Sequence, residues 1–265
     1  MIPQKNSLDE NIIKNMIKTE YIGKDFHLLE KTSSTFDAAN EIPVINGTVI
    51  CARKQTKGRG RLGRSWESEE GGIYFSLILI PDMSFDEVQI MTALCAVGIR
   101  KALSSFLPCK IKWPNDIVSD DGKKICGILT KLQYNGKDKA IINVGIGINA
   151  NTKKFDDELK YASSISLITG EDIDENLVFC KVLEEMERSC NLKNLEDTMA
   201  EYKKECITLG KRVRVLYAGN KQSITGLCKE IKNDASLTIE TDNGEIITVT
   251  SGEVSVRGIY GENYV

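Results

Sequence analysis

The chain has one histidine, His27, among its 265 residues. Reactions that need a histidine base are disfavoured, and His27, in an expected strand near the N-terminus, reads as structural. None of the eight cysteines forms a C-x-x-C pair, so zinc-ribbon and thioredoxin-type sites lack support. Most sit among apolar neighbours, as buried small hydrophobes do in a reducing compartment. No apolar run reaches membrane length and no N-terminal signal is visible, so a soluble, cytoplasmic protein is expected. A Walker A sequence is missing. Gly145-Ile146-Gly147-Ile148-Asn149-Ala150 fits G-x-G-x-x-A, but its glycines fall inside an expected strand with no helix beginning there, so the dinucleotide fingerprint fails. Net charge is −3, whereas a dedicated DNA-binding protein is more often basic. Before His27 there is room for one short helix, not for a winged helix-turn-helix.

What the chain does have is a concentrated basic loop, Lys57-Gly58-Arg59-Gly60-Arg61-Leu62-Gly63-Arg64-Ser65-Trp66. Glycine permits close backbone approach, arginine offers a planar fork of donors for phosphate or carboxylate, and tryptophan offers a stacking plate. Arg53 and Lys54 add charge upstream, with no acid between Arg53 and Trp66. Such crowding predicts that an anion is needed to order the loop. A solvated basic loop, or one touching nucleic acid, is the plainer reading of this stretch alone.

Apolar content of 41% supports a substantial core, in one large domain or one domain plus a small one. Ser7-Leu8-Asp9-Glu10 suggests a capping box for a helix carrying Ile12, Ile13, Met16, Ile17 and Tyr21. A strand is expected over 26–31. Thr32-Ser33-Ser34-Thr35 then leads into a short helix reaching Ile42; its hydroxyls suit a cap or a polar ligand ring. Strands over 48–54 and 73–80 bracket the basic loop, and Ser84-Phe85-Asp86-Glu87 caps a long helix to Leu103. Proline in Lys112-Trp113-Pro114-Asn115-Asp116 demands a bend or a sheet edge. Asn115 and Asp116 fit a turn there, and Asp116 is also a candidate Mg²⁺ ligand. Asn135-Gly136 signals a hairpin between strands from Lys124 to Tyr134 and from Lys139 to Asn149. Helices follow, one ending near Gly170 and a pair over 175–209. From Gly210 onward, short strands indicate a small β-barrel.

Four stretches together resemble the biotin–protein ligases (biotin–[acetyl-CoA-carboxylase] ligases). They are Gly58 to Trp66 (G-R-G-R-x-G-R-x-W), Lys112 to Asp116 (K-W-P-N-D), Lys124 to Leu129 (K-x-x-G-I-L) and Gly145 to Asn149 (G-x-G-I-N). The resemblance implies an α+β fold: a mixed central sheet with flanking helices as a catalytic domain over 1–208, and an SH3-like β-barrel over 209–265. It matches the short form without an N-terminal DNA-binding domain, so no repressor role and no DNA or membrane partner are expected. By resemblance, biotin and ATP give biotinyl-5′-AMP, and biotin passes to a lysine of a biotin carboxyl-carrier protein; a homodimer is possible in the family. The implied biotin contacts are Ser34, Thr35, Gln55, Gly58, Arg59, Gly60, Lys124 and Gly127. Those to ATP or the adenylate are Arg59, Arg61, Arg64, Trp66 and Asn149. Lys124 and Arg61 carry catalysis, with Mg²⁺ at the phosphates. Phe36 departs from the family's usual asparagine. A lipoate or octanoate ligase or transferase, and a non-enzymatic biotin-sensing or nucleic-acid-binding module, are the alternatives.

Overall fold

The computed structural model describes residues 7–81, 88–134, 140–217, 223–251 and 254–258. Among these, a seven-stranded mixed sheet forms the centre. Its strands are β1 (Phe26–Leu29), β2 (Val49–Ala52), β3 (Gly72–Leu79), β4 (Cys109–Lys112), β5 (Asp116–Ser119), β6 (Lys124–Tyr134) and β7 (Ala140–Asn149). They lie in the order β1-β2-β3-β7-β6-β5-β4. Only β1 and β2 run parallel; every other pairing is antiparallel.

Strand alternation divides the sheet into two unlike faces. On β3, Ile73, Phe75, Leu77 and Leu79 enter the main core. On β7, Val144, Ile146 and Ile148 do the same, and on β6, Cys126 and Ile128. Helices α3 (Val88–Leu103), α5 (Glu175–Ser189) and α6 (Leu195–Glu205) cover that face, with α1 (Glu10–Met16) against α5. The intervening residues Gly127, Gly145, Gly147 and Asn149 therefore face the other way, and there the cavity lies. Short helices α2 (Thr35–Ala38) and α4 (Ile165–Thr169) complete the first part of the chain.

A five-stranded antiparallel sheet follows, made of β8 (Arg212–Tyr217), β9 (Ser223–Ile231), β10 (Leu237–Thr241), β11 (Ile246–Val249) and β12 (Val254–Gly258). Its order is β11-β10-β9-β8-β12. Val213, Val215, Leu237 and Ile239 belong to the same hydrophobic cluster as the central core. Trp113 fastens the two sheets together. Its backbone N–H donates to Thr208 Oγ1 at 3.1 Å, and its indole N–H donates to the Ala235 carbonyl at 2.8 Å.

Several boundaries differ from expectation. Asp9, not Ser7, caps α1, accepting from the N–H groups of Asn11 and Ile12 at 2.9 and 3.0 Å. The box is not closed by Glu10; Asn176 Oδ1 takes the Asp9 N–H at 2.7 Å. The helix stops at Met16, leaving Tyr21 in a turn, and α2 stops at Ala38 rather than reaching Ile42. Pro114 stands in the turn between β4 and β5, and β4 is also the sheet edge, so both outcomes allowed for this proline occur together. Ser84 to Glu87 and Asn135-Gly136 lie outside the described residues. The eight cysteines are all free and buried. No helix among the described residues is long and apolar enough to cross a membrane.

Candidate functional site

The basic loop links β2 to β3 and doubles back on itself. Trp66 N–H donates to Gly58 O at 2.9 Å, and Gly60 N–H donates to Arg64 O at 2.7 Å. A Cβ on Gly58 would lie 2.3 Å from Trp66 O, so this close return requires glycine. At the tip, Arg61–Gly63 make one 3₁₀ turn with Leu62 and Gly63 left-handed, at φ 56° and 74°.

Trp66 rests on the glycine face of the sheet. Tyr74 pairs with Gly147, Gly147 with Gly127, and Gly127 with Asp116, forming one row across β3, β7, β6 and β5. A Cβ on Gly147 or Gly127 would come within 2.3 or 2.6 Å of the indole ring. The glycines inside these strands are thus explained by the ring above them. The indole N–H is buried without a protein acceptor among the described residues. Phe36 occupies the neighbouring row, against Gly145.

A cavity of about 510 Å³ opens between this loop and the sheet. Its walls include Ser34, Thr35, Gln55, Arg59, Gly60, Arg61, Arg64, Trp66, Asp116, Lys124, Gly127 and Asn149. Every candidate site residue is therefore gathered at one place except Gly58, which stands behind the wall in the loop's backbone pairing. His27 does not line it; it stands beside Asp25, with Nε2 3.1 Å from Oδ1.

At one end a chain of hydrogen bonds runs through the expected biotin contacts. Ser34 Oγ caps α2 by accepting from Phe36 N–H at 3.2 Å. Ser76 Oγ donates to Thr35 Oγ1 at 3.0 Å. Thr35 donates to Gln55 Oε1 from its N–H at 2.9 Å and from its hydroxyl at 3.3 Å. Gln55 Nε2 donates to Ser68 Oγ at 2.8 Å, and Ser68 donates to Trp66 O at 3.2 Å. Cap and ligand wall are thus the same short segment.

At the other end are the cations. Arg59 pairs with Asp37 at 2.6 Å. Arg61 Nη1 donates to Asn115 Oδ1 at 3.0 Å, and Nη2 donates to the carbonyl of Ser251, in the bend just after β11. Burial lowers the pKa of Arg61 from its usual value, opposed by nearby Asp116 and reinforced by Arg64. Lys124 Nζ stands 2.7 Å from Asp116 Oδ1 and 5.1 Å from the Trp66 ring centroid. Arg64 is exposed at the rim. Protein acceptors thus engage both Arg59 and Arg61. Asn149 Nδ2 donates to Ser163 O at 3.0 Å and to Lys124 O at 3.4 Å, tying β7 to the segment that follows it. No group of three or more His, Cys, Asp or Glu able to hold an ion occurs among the described residues. Asp116 is committed to Lys124.

Part of the wall had no signal in the sequence. Phe155, Leu159, Tyr161 and Ala162 line the cavity from a segment without a motif. That segment lies alongside Lys124, whose N–H donates to Tyr161 O at 2.6 Å. Asn115 and Ser76 also went unassigned, although Asn115 lies within a recognised motif and a lone serine amid a run of apolar strand residues was a visible clue.

Residues 28–149 match the Biotin/lipoate A/B protein ligase family, and residues 208–257 match the Biotin protein ligase C terminal domain. The chain is 40% identical over 192 residues to the bifunctional ligase/repressor BirA of Bacillus spizizenii, covering 69% of this chain and 59% of that protein. It is 26% identical to the biotin–[acetyl-CoA-carboxylase] ligase of Mycobacterium tuberculosis over 79% of each. The chain thus spans about three fifths of the Bacillus relative's length. Among solved structures, the biotin protein ligase of Aquifex aeolicus in complex with biotin and ATP superposes with a TM-score of 0.76 at 35% identity, covering 89% of this chain and 100% of that one. By these matches and by the site just described, the chain belongs to the biotin–protein ligase family.

Proposed function

We propose that this protein joins biotin to ATP as biotinyl-5′-AMP, and then transfers the biotinyl group to a lysine of a carboxylase's biotin carrier protein. The carrying observation is the placement of Arg61, Lys124 and the orphaned Trp66 indole N–H around one cavity, above a glycine floor. In the first step a biotin carboxylate oxygen attacks the α-phosphorus of ATP and pyrophosphate leaves. Two anions must meet: at 4 Å, unit like charges repel by about 4 kcal/mol at an effective dielectric constant of about 20. Arg61, Arg64 and Lys124 offset that repulsion and hold the charge that builds on the phosphoryl oxygens. In the second step the carrier lysine's neutral amine attacks the acyl carbon, AMP leaves, and the amine loses a proton. Neither step needs an enzyme nucleophile, in keeping with eight buried thiols and a histidine outside the cavity.

The Ser34–Thr35–Gln55 end offers the mixed donors and acceptors that a ureido ring requires. Trp66 and Asn149 are assigned to the adenylate, with Gly58, Arg59, Gly60 and Gly127 shaping the approach. Asp116 acts as the partner of Lys124, and Mg²⁺ arrives with ATP as part of the substrate. We also propose the domain division at 208/209 and a cytoplasmic setting, the latter supported by the free cysteines. The biotin names of the relatives weigh against a lipoate or octanoate substrate.

The test is biotin-dependent exchange of labelled pyrophosphate into ATP. Exchange with biotin and not with lipoate or octanoate supports the reading. No exchange with biotin overturns it.

A further inference from the structure

Asn115 makes three hydrogen bonds, two of them through its side chain. Its backbone carbonyl accepts from Ile128 N–H at 2.9 Å, and its Nδ2 donates back to the Ile128 carbonyl at 2.7 Å. Its Oδ1 then faces Arg61 Nη1 at 3.0 Å. The two side-chain contacts determine the amide's orientation. Turned the other way, the NH₂ group would face a guanidinium that has no acceptor, and the amide oxygen would face a carbonyl that has no donor. The residue is only 8% exposed, so water does not relax this requirement. Arg61 opens a single 3₁₀ turn at a loop tip whose next two residues are left-handed, so its long side chain is oriented by its partners rather than by a helix or strand.

We infer that Asn115 is a positioning residue for Arg61: it aims the guanidinium into the cavity through an amide bridged to β6, and does so without adding a negative charge beside it. A carboxylate at this position would accept the same hydrogen bond. It would also bring a formal charge to 3 Å from the cation that must face phosphoryl oxygens, and it would repel the Ile128 carbonyl. The neighbouring Asp116 already serves Lys124 in that manner, so the Asn-Asp pair divides into one neutral and one charged partner for two different cations. This inference rests on the adenylation reading above.

A double-mutant cycle on the full chain tests it, with a non-reactive sulfamate analogue of biotinyl-AMP as the probe. Asn115→Ala should weaken the analogue about tenfold in the wild-type background, the low end of a hydrogen bond to a charged group. In an Arg61→Ala background the same change should cost about twofold or less. Biotin alone should bind with unchanged affinity in Asn115→Ala, which a merely structural loss would not allow. Asn115→Ser, too short to reach Arg61, runs the same cycle if the alanine variant fails to fold. Equal losses in the two backgrounds, or a parallel loss of biotin affinity, overturn the inference alone. A wild type without biotin-dependent pyrophosphate exchange overturns the adenylation reading and this inference with it.

Discussion

Trp66 lies so close over Gly147 that a Cβ there would stand 2.4 Å from the indole nitrogen. The contact is with a ring held by its own loop, which cannot yield as the end of a flexible chain could. Gly147→Ala should therefore lift Trp66 off the sheet. The expected result is a red-shifted tryptophan emission together with a loss of pyrophosphate exchange of about tenfold or more. Unchanged emission and exchange would show that the ring has room to move.

Lys124 is bracketed by Asp116 and Trp66. On the proposed reaction, Lys124→Ala removes a cation from where negative charge builds, and comparable losses of a positioned donor cost about a hundredfold or more in rate. Biotin-dependent exchange should fall by that order while the melting temperature stays within a few degrees. Near-wild-type exchange would remove Lys124 from the reaction.

Arg61→Gly should keep synthesis measurable but release the adenylate, since the loop loses its links to Asn115 and Ser251. Free biotinyl-AMP, followed chromatographically after a single turnover, should appear faster than in wild type. Retention equal to wild type would sink the idea that the loop shields the mixed anhydride from water.

Trp113→Phe tests the link between the sheets. It keeps most of the ring's packing but leaves the Ala235 carbonyl without its donor, at a cost of about 1–3 kcal/mol. Urea denaturation should show a lower midpoint with a similar slope. An unchanged midpoint would mean the bond carries no net stability.

Glu175 gives a pH dependence. Burial raises its pKa above 4.5, with the hydrogen bond from Asn151 acting in the opposite direction. The folded state then holds this proton more tightly than the unfolded chain does. Its contribution to stability is greatest below the unfolded-state value and declines as pH rises through the higher folded-state value. Relative to Glu175→Gln, wild type should lose melting temperature between pH 4 and pH 7. A difference that stays flat with pH would contradict this.

Much of the site was legible because its constraints are local. Glycine within an apolar strand, arginine at every second or third position and a closing tryptophan each have a physical reason that survives without coordinates. The Thr35 hydroxyl was within reach as a cap or ligand contact at a helix start, whereas Gln55 was assigned only by the family resemblance. Asn115 was harder: its partner Arg61 is 54 positions away, and a turn explained it equally well. The 155–162 wall gave no periodicity and no charged cluster, and its role arises from lying against Lys124. The helix boundaries erred where tertiary contacts outweighed local pattern, as when Asn176 rather than Glu10 took the Asp9 amide.

The Arg61–Ser251 contact joins residues 190 positions apart. The segment just after β11 supplies one of the oxygens that accept from the Arg61 guanidinium beside the cavity. Loosening of the segment that carries Ser251 would therefore free one of the contacts that hold Arg61. On the proposed reaction, a heated sample should lose turnover at the temperature where the smaller sheet loosens.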